Sequence, residues 1–454
     1  MRALSVARQG KSTFGTLKRV STILGRYGST PTRVAESLEK CVQTLEEFHC
    51  GATFPITAST LAGNERIVER YLNRGIEFAV HGYQHLDHTR LPLELQLENM
   101  YRARRLFAAG GMIPSGFRAP YLRCNGDTLT AIADAGFVYD ASWALAWEVT
   151  QVAETPEYQR ALSFYHSDSA VDYPSLPRWY GDVVRIPYNL PDDEALVERL
   201  SVKTEECMGR IWVDILDRTW KLGELFCLGL HPERTTLCQS ALLATLKQTV
   251  SKRPQVWLTT LEEIATWWLN RTRAKVTCTE KGDRLVHVSV RGPKGVVILS
   301  RGVQVEAEIA EPWLGGIRLS QASELDVRAS CRPFIGVTPS SAPRLKNFLR
   351  QQGYIVEETD CSLTHAFVLD RPRFDETDER ALLEQIDQGD FPLVWLGRWP
   401  NGARSALCVT GDLDAFTLWD YASRLLPARL STYFLNEHRL VMTPRSIRSR
   451  GVTS

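Results

Sequence analysis

Strand-like and helix-like segments alternate along residues 30–270, and this alternation limits the folds open to the chain. Residues 32–48 carry apolar side chains at helical spacing, and Pro31 suits the first turn of a helix. Short apolar runs rich in β-branched residues lie at 51–58 and 76–80, and a helical stretch follows each of them. This alternation predicts an α/β fold with a parallel sheet.

Polar motifs at the ends of several predicted strands favour one parallel architecture over another. They follow the strand segments near residues 80, 117 and 230. In (β/α) barrels the active site lies at the carboxyl ends of the strands. We therefore predict a (β/α) barrel-like domain over residues 27–271 rather than an open doubly wound sheet.

The remaining segments of the chain differ from this domain in pattern. Apolar residues alternate between glycine turns after residue 272, which predicts antiparallel strands, and an α/β pattern returns from residue 331. We divide these parts into a basic N-terminal extension at 1–26, a small β domain at 272–330, an α/β segment at 331–400, a strand and helix at 401–440 and a loose tail at 441–454.

Composition narrows the classes of partner and compartment. The 454 residues carry a net charge of +1, so no bulk attraction to nucleic acid or anionic membrane is expected. No apolar run is long enough to span a bilayer. The ten cysteines form no CxxC pair, which favours reduced thiols in a cytoplasmic protein over a thiolate zinc site. The sequence does not determine the oligomeric state.

The first 29 residues are basic, rich in serine and free of acidic side chains. A transit peptide has this composition, whereas a secretory signal would need a continuous apolar stretch that is missing. A plain basic extension and a cleaved targeting segment remain the two interpretations, and the first is preferred.

The segment GIEFAVHGYQHLDHTRL is rich in side chains that can bind metal ions. It places His81 at the end of a predicted strand and His85 four residues later, followed by Asp87 and His88. Two imidazoles at this spacing can converge on one metal ion if the residues between them form a helical turn or a tight loop. The alternative is a pair of histidines in a polar loop without a ligand.

Two other strand ends carry polar motifs. GFRAPYLR places Arg118 and Tyr121 after a strand, where an arginine can orient a carboxylate and a backbone N–H can donate to an oxyanion. The apolar strand in LFCLGLHPERT ends at His231. Each motif alone also has a purely structural explanation.

HGYQH, FRAPY, YDASW and LGLH stand in the order of the motifs of the polysaccharide deacetylases, also called the NodB-homology family or carbohydrate esterase family four. Residues 27–270 resemble the cytoplasmic-type branch of that family. The resemblance implies a divalent metal, expected to be Zn²⁺, with His81 and His85 as ligands. It also implies that Asp140 and Trp143 stand for the fourth motif, which they match loosely.

The same resemblance implies roles for three further residues. Arg118 would steer the catalytic carboxylate, the backbone of Tyr121 would help to hold the oxyanion, and His231 would be the general acid that protonates the leaving amine.

The acidic first motif of that family is missing from its expected place before residue 32, where STILGRYGSTP stands. The segment SALCVTGDLDAF near the C-terminus is similar to that motif and implies Asp412 as the base and Asp414 as a metal ligand. Three alternatives remain. Asp412 caps the following helix, the segment begins a truncated second domain, or the first domain has lost its base.

We therefore predict a circularly permuted site. The strand at 405–410 would take the first-strand position in the barrel built by residues 30–270. Asp414 oxygens would then lie near the nitrogens of His81 and His85, and a remote location of Asp412 and Asp414 would exclude the hypothesis.

A complete site of this kind implies metal-assisted hydrolysis that removes an acetyl group from an N-acetylated sugar, glycan or glycan precursor. Two alternatives are a hydrolase of a small non-sugar amide and a non-catalytic carbohydrate-binding or scaffold protein. Aromatic residues that could stack on a sugar ring are Tyr83, Trp143, Trp147, Trp179 and Tyr180.

Overall fold

The computed structural model describes residues 23–149, 155–282, 284–305, 309–360 and 364–423. Most of the predicted N-terminal extension, the whole predicted tail at 441–454 and the end of the 401–440 segment therefore lie outside the described residues. Cys361 also lies outside them.

Helices and strands alternate along the chain as the apolar pattern predicts. The helices of the described ranges are α1 (Thr32–Glu46), α2 (Ala58–Val68), α3 (Leu93–Ala109), α4 (Gly126–Asp134), α5 (Pro156–Tyr165), α6 (Glu205–Leu222), α7 (Gln239–Ser251), α8 (Leu261–Thr272), α9 (Pro343–Gln351), α10 (Glu379–Gln388) and α11 (Leu418–Ser423). The strands of the first part are β1 (Ala52–Thr53), β2 (Ile76–Glu77), β3 (Gly116–Phe117), β4 (Tyr139–Ala146), β5 (Asp168–Ser169), β6 (Arg178–Tyr180), β7 (Val183–Leu190), β8 (Leu225–Gly229) and β9 (Val256–Leu258). The later strands are β10 (Lys275–Gly282), β11 (Leu285–Arg291), β12 (Ile298–Arg301), β13 (Glu311–Leu314), β14 (Ile317–Ser320), β15 (Glu324–Arg328), β16 (Arg332–Val337), β17 (Val356–Glu358), β18 (His365–Leu369), β19 (Leu393–Leu396) and β20 (Ser405–Thr410).

Two helix boundaries differ from the sequence prediction. Pro31 caps α1 instead of lying in its first turn, and the helix ends two residues earlier than predicted. The helical stretch predicted after residues 51–58 begins at Ala58, inside that run, and Thr57 caps it in an extended conformation.

The main sheet follows the order β2-β1-β20-β8-β7-β4-β3, with every neighbouring pair parallel. The predicted α/β class is thus confirmed. A parallel bridge between Val80 and Phe117 joins the two ends of this order, which gives the sheet a barrel-like arrangement. The carboxyl ends of these strands meet at one edge, where parallel folds place their sites.

Strand β20 lies inside this sheet although it comes from the C-terminal part of the chain. Val409 pairs with Ala52 of β1, and Cys408 pairs with Cys227 of β8. All six residues of β20 are buried, with Leu407 facing one hydrophobic core and Cys408 the other. A strand covered on both faces needs a continuous apolar run, which ALCV supplies.

The sheets between residues 275 and 396 cross the predicted boundary at residue 330. One antiparallel sheet has the order β10-β11-β15, and a second has the order β13-β14-β12-β19. Strand β19 lies in the predicted α/β segment yet pairs with β12. The segment also contains the parallel sheet β17-β16-β18. Within the described ranges, no helix is both long and apolar enough to cross a bilayer.

Candidate active site

The loops after β2 and β20 meet at the carboxyl edge of the main sheet. Backbone hydrogen bonds fix the second loop, since Leu413 N donates to Pro55 O over 2.8 Å. Thr60 Oγ1 donates to the backbone oxygen of Asp414 over 2.9 Å. These contacts hold the Asp412–Asp414 pair against the segment after β1, and His81 N donates to Ile56 O of that segment over 3.0 Å.

His81, His85 and Asp414 surround one point. Asp414 Oδ1 lies 3.5 Å from His81 Nε2 and 3.5 Å from His85 Nε2. Ligand atoms that bind a tetrahedral zinc ion at its usual bond lengths are about 3.3 Å apart. The observed separations therefore suit three ligands of one such ion.

The orientation of the His81 ring also suits a metal ligand. Its Nδ1–H donates to the backbone oxygen of Arg118 over 2.9 Å, which leaves a lone pair on Nε2. The residue is fully buried, and Nε2 has no hydrogen-bond partner among the described residues. A buried acceptor without a donor is costly, and a bound cation would remove that cost. The residues present thus fit a divalent metal.

Arg118 joins the second carboxylate of the pair to the sheet. Its Nη1 donates to Asp412 Oδ1 over 3.0 Å, and its Nε donates to the backbone oxygen of Ala141 over 3.0 Å. Burial works against the charged guanidinium, but the adjacent Asp412 keeps the pKa of Arg118 above its ordinary value. Asp412 Oδ2 lies 3.5 Å from His81 Nε2, so its free oxygen faces the histidine cluster.

Tyr121 lies at the edge of this cluster in a strained conformation. Its φ of 62° is in the left-handed region, which residues other than glycine seldom adopt. Its ring meets the His85 ring edge-on, with 4.4 Å between the ring centroids. The turn therefore brings the Tyr121 backbone next to the histidine pair.

His231 follows β8, the strand next to β20. Asp193 Oδ1 accepts from His231 Nδ1 over 2.8 Å and from the His231 backbone N–H over 3.1 Å. Burial would lower the pKa of His231, but the charge and hydrogen bond of Asp193 outweigh it and raise the pKa to about 10. The imidazole is therefore protonated at neutral pH and presents Nε2–H.

A series of contacts runs from Arg118 to Asp192, the residue next to Asp193. The Arg118 guanidinium lies 4.7 Å from the centroid of the Tyr188 ring, and Tyr188 Oη donates to Asp192 Oδ2 over 2.8 Å. Burial, followed by the charge of Asp193, raises the pKa of Asp192 to about 6. Sequence reasoning missed Asp192 and Asp193, although two acids that follow the apolar run VVRIPYNL after one proline were a usable signal.

Several residues proposed for sugar stacking do not offer an open ring face. Tyr83, Trp143 and Trp147 are all buried. Arg102 covers the Tyr83 ring, and Arg178 covers Trp143, whose Nε1 donates to Asp168 Oδ2 over 2.7 Å. These three residues therefore present no exposed ring face to a sugar. Trp179 is partly exposed and Tyr180 is exposed.

Other polar residues singled out in the sequence have structural partners. Asp140 is buried and bonds Arg185 at 3.2 Å, so it supports the sheet rather than the histidine cluster. Asp87 pairs with Arg123 at 3.1 Å. Burial lowers the pKa of His88 to about 4, which keeps that ring neutral beside Asn99.

The family of this domain follows from a comparison with known proteins. Residues 27–139 match the family model described as polysaccharide deacetylase. This part of the chain is thus similar to the polysaccharide deacetylases. The match to the deacetylase family includes His81, His85, Arg118 and Tyr121 and ends before His231 and before β20.

Relatives of the deacetylase domain include a fungal protein. The peptidoglycan deacetylase-like protein FGM2 of Gibberella zeae is 25% identical over 243 residues, which are 48% of this chain and 67% of that protein. Similar solved structures include a probable polysaccharide deacetylase from Pseudomonas aeruginosa PAO1, with 19% identity and a TM-score of 0.42. PuuE allantoinase has 19% identity and a TM-score of 0.41. Each of these two structures matches this chain over 51% of this chain and over 72% of its own length.

Proposed function

We propose that the chain is a metal-dependent hydrolase that removes an acetyl group from an N-acetylated sugar or glycan. The supporting observation is the meeting of His81, His85 and Asp414 at 3.5 Å separations, beside a second carboxylate that an arginine holds. The family match adds the reaction class, because it covers the histidine pair and the RAPY turn.

His81, His85 and Asp414 would hold a divalent cation, for which we propose Zn²⁺. When bound, this ion supplies a Lewis acid at the acetyl carbonyl. In the proposed reaction, Asp412 accepts the proton of the attacking water through the oxygen that faces His81. Arg118 orients Asp412 from the opposite side through a charge-assisted hydrogen bond.

Residues at two other strand ends are proposed to stabilise the oxyanion and to protonate the leaving group. The Tyr121 backbone N–H is proposed to donate to the oxyanion. His231 donates the Nε2 proton to the departing amine. The Asp193 carboxylate orients the His231 ring and stabilises its positive charge. The neighbouring positions of β8 and β20 place the proposed acid and base on adjacent strands.

The proposal extends to the compartment. All nine cysteines in the described ranges are free thiols. Free thiols in this number suit a reducing compartment, and on that ground we propose the cytoplasm.

Acetate release from N-acetylglucosamine oligomers by the full-length protein tests the proposal, with Asp412→Asn as the variant. Loss of a general base lowers the rate by about 10²- to 10⁴-fold. Asp326→Asn is the matched control, because Asp326 binds Lys281 and His287 in the β10-β11-β15 sheet. Equal rates in wild type and Asp412→Asn would exclude the proposed base. Cleavage of small amides without acetate release from sugars would instead exclude the substrate class.

A further inference from the structure

A cavity lies at the end of β20 opposite the candidate active site. Its volume is about 370 Å³, within the range of small-molecule sites. The residues that line it come from the C-terminal end of α6, from the segment after α9, from the end of α10, from the β13-β14-β12-β19 sheet and from residues 398–404, which lead into β20. Because β20 has six residues, on the order of 20 Å separates the cavity from Asp412.

One face of the β13-β14-β12-β19 sheet forms the floor of the cavity. Leu299 pairs with Trp395 and Arg301 pairs with Leu393, so these four side chains share a face, and all of them line the cavity. The alternate residues of the same strands, including Ile298 and Val394, pack into a hydrophobic core. The residues that line the cavity therefore lie on the face of the sheet opposite to the one that packs into that core.

Positive charge dominates the lining. Its charged residues are four cationic ones and two anionic ones, namely Lys221, Arg301, Arg398, Arg404, Glu384 and Asp387. Arg398 Nη1 donates to Gly223 O over 2.9 Å, and Arg301 Nη1 donates to Asp387 O over 3.0 Å. These partners are backbone oxygens at helix ends. Among the described residues, none of the four cationic groups has a carboxylate at ion-pair distance.

Three buried polar atoms around the cavity have no hydrogen-bond partner within the described part of the chain. Gln352 is only 2% exposed, and its Oε1 accepts no hydrogen bond. The Nε atoms of Arg301 and Arg398 donate none. Guanidinium groups bind anions through charge-assisted hydrogen bonds, so the arginines that line the cavity suit an anionic ligand. The half-buried Trp313 and Trp395 add the flat apolar surfaces on which sugar rings pack.

We propose that this cavity binds an acidic saccharide, namely a pyranose ring that carries a carboxylate or a phosphate. The anion matches the arginines, and the ring matches the tryptophan surfaces. No residue of the histidine cluster takes part, so the inference does not depend on the proposed hydrolase activity.

Calorimetric titration of the full-length protein tests this site. The probes are trigalacturonate for the carboxylate, glucose 6-phosphate for the phosphate and maltotriose as the neutral control. We expect saturable binding of at least one charged probe, and which one binds identifies the anion. Maltotriose should bind at least about tenfold more weakly. Equal binding of the neutral probe, or no binding of either charged probe, would overturn the proposal.

Three variants locate the bound ligand. Lys221→Glu reverses a charge at the exposed rim and should weaken binding of the charged probe about fivefold. Lys247→Glu is the matched control on the exposed surface of α7 and should leave the affinity unchanged. Asp412→Asn should also bind with wild-type affinity. Loss of binding in Asp412→Asn, or equal effects of the two lysine variants, would place the ligand elsewhere and refute the site.

Trp395→Leu provides a second measurement within the cavity. Loss of the ring should weaken the charged probe about tenfold, provided that the melting curve shows a folded protein. Unchanged affinity in folded Trp395→Leu would contradict the packing of a sugar ring on this surface.

Discussion

Arg118 Nη1 donates to Asp412 Oδ1 over 3.0 Å, although 294 positions separate the two residues in the sequence. Arg118 follows β3, Asp412 follows β20, and the Arg118 side chain is fully buried. A buried guanidinium needs an anionic partner, so this contact ties the C-terminal strand to the histidine cluster.

Replacing Arg118 by glutamine should lower the free energy of unfolding by about 3 kcal/mol, since the variant loses a buried ion pair. Acetate release should fall as well, because Asp412 loses its positioning partner. Urea denaturation and the acetate assay measure the two effects. Arg74→Gln breaks exposed pairs with Glu39 and Glu46 and should change stability by less than about 1 kcal/mol. Similar stability losses in the two variants would contradict a buried pair.

Asp193→Asn should move the alkaline limb of the rate–pH profile to lower pH. The charge of Asp193 raises the pKa of His231 to about 10, and His231 must be protonated to act as an acid. Activity is therefore retained below that pKa and lost as pH rises through it. Stability follows the same sign, since the contribution of this pair is complete below the pKa of unfolded histidine and is lost as pH rises through about 10. An unchanged alkaline limb in Asp193→Asn would exclude His231 as the titrating acid.

His81→Gln and His85→Gln should each reduce the bound divalent metal measured by mass spectrometry after purification. A metal that binds only the folded state raises the melting temperature, so a chelator should lower that temperature in wild type. The shift should be absent in His81→Gln. His287→Gln is the control, because His287 pairs with Asp326 on the β10-β11-β15 sheet and should keep the metal. Equal metal content in all three variants would exclude the cluster.

Leu407→Ala should destabilise the main sheet by roughly 2–5 kcal/mol, because Leu407 is fully buried in its core. Hydrogen exchange should accelerate in β1 and β8, the strands that flank β20. Leu325→Ala removes a buried leucine from β15 and should accelerate exchange mainly in the β10-β11-β15 sheet. Unchanged exchange in β1 and β8 after Leu407→Ala would mean that β20 is not part of their folding unit.

Local patterns in the sequence predict much of the fold. Apolar periodicity locates most helices and strands, because the spacing of apolar residues reflects local geometry. It does not locate β19 in the sheet of the small β domain, since pairing with β12 depends on residues about ninety positions away. The burial of Tyr83 and Trp143 could not be predicted from the sequence either, because Arg102 and Arg178 contact these rings only in the folded chain.

For the candidate site too, some features could be predicted from the sequence and others only from the tertiary structure. The sequence by itself determined the residue types: a histidine pair at ligand spacing, an arginine turn, a histidine after a strand and two aspartates after the apolar run of β20. Only the tertiary structure decided that Asp414 lies 3.5 Å from both histidines and that Asp193 holds His231. The physical reason is that residue type and spacing are local properties. The meeting of strand ends depends instead on the order in which the sheet assembles, and β20 enters it between β1 and β8.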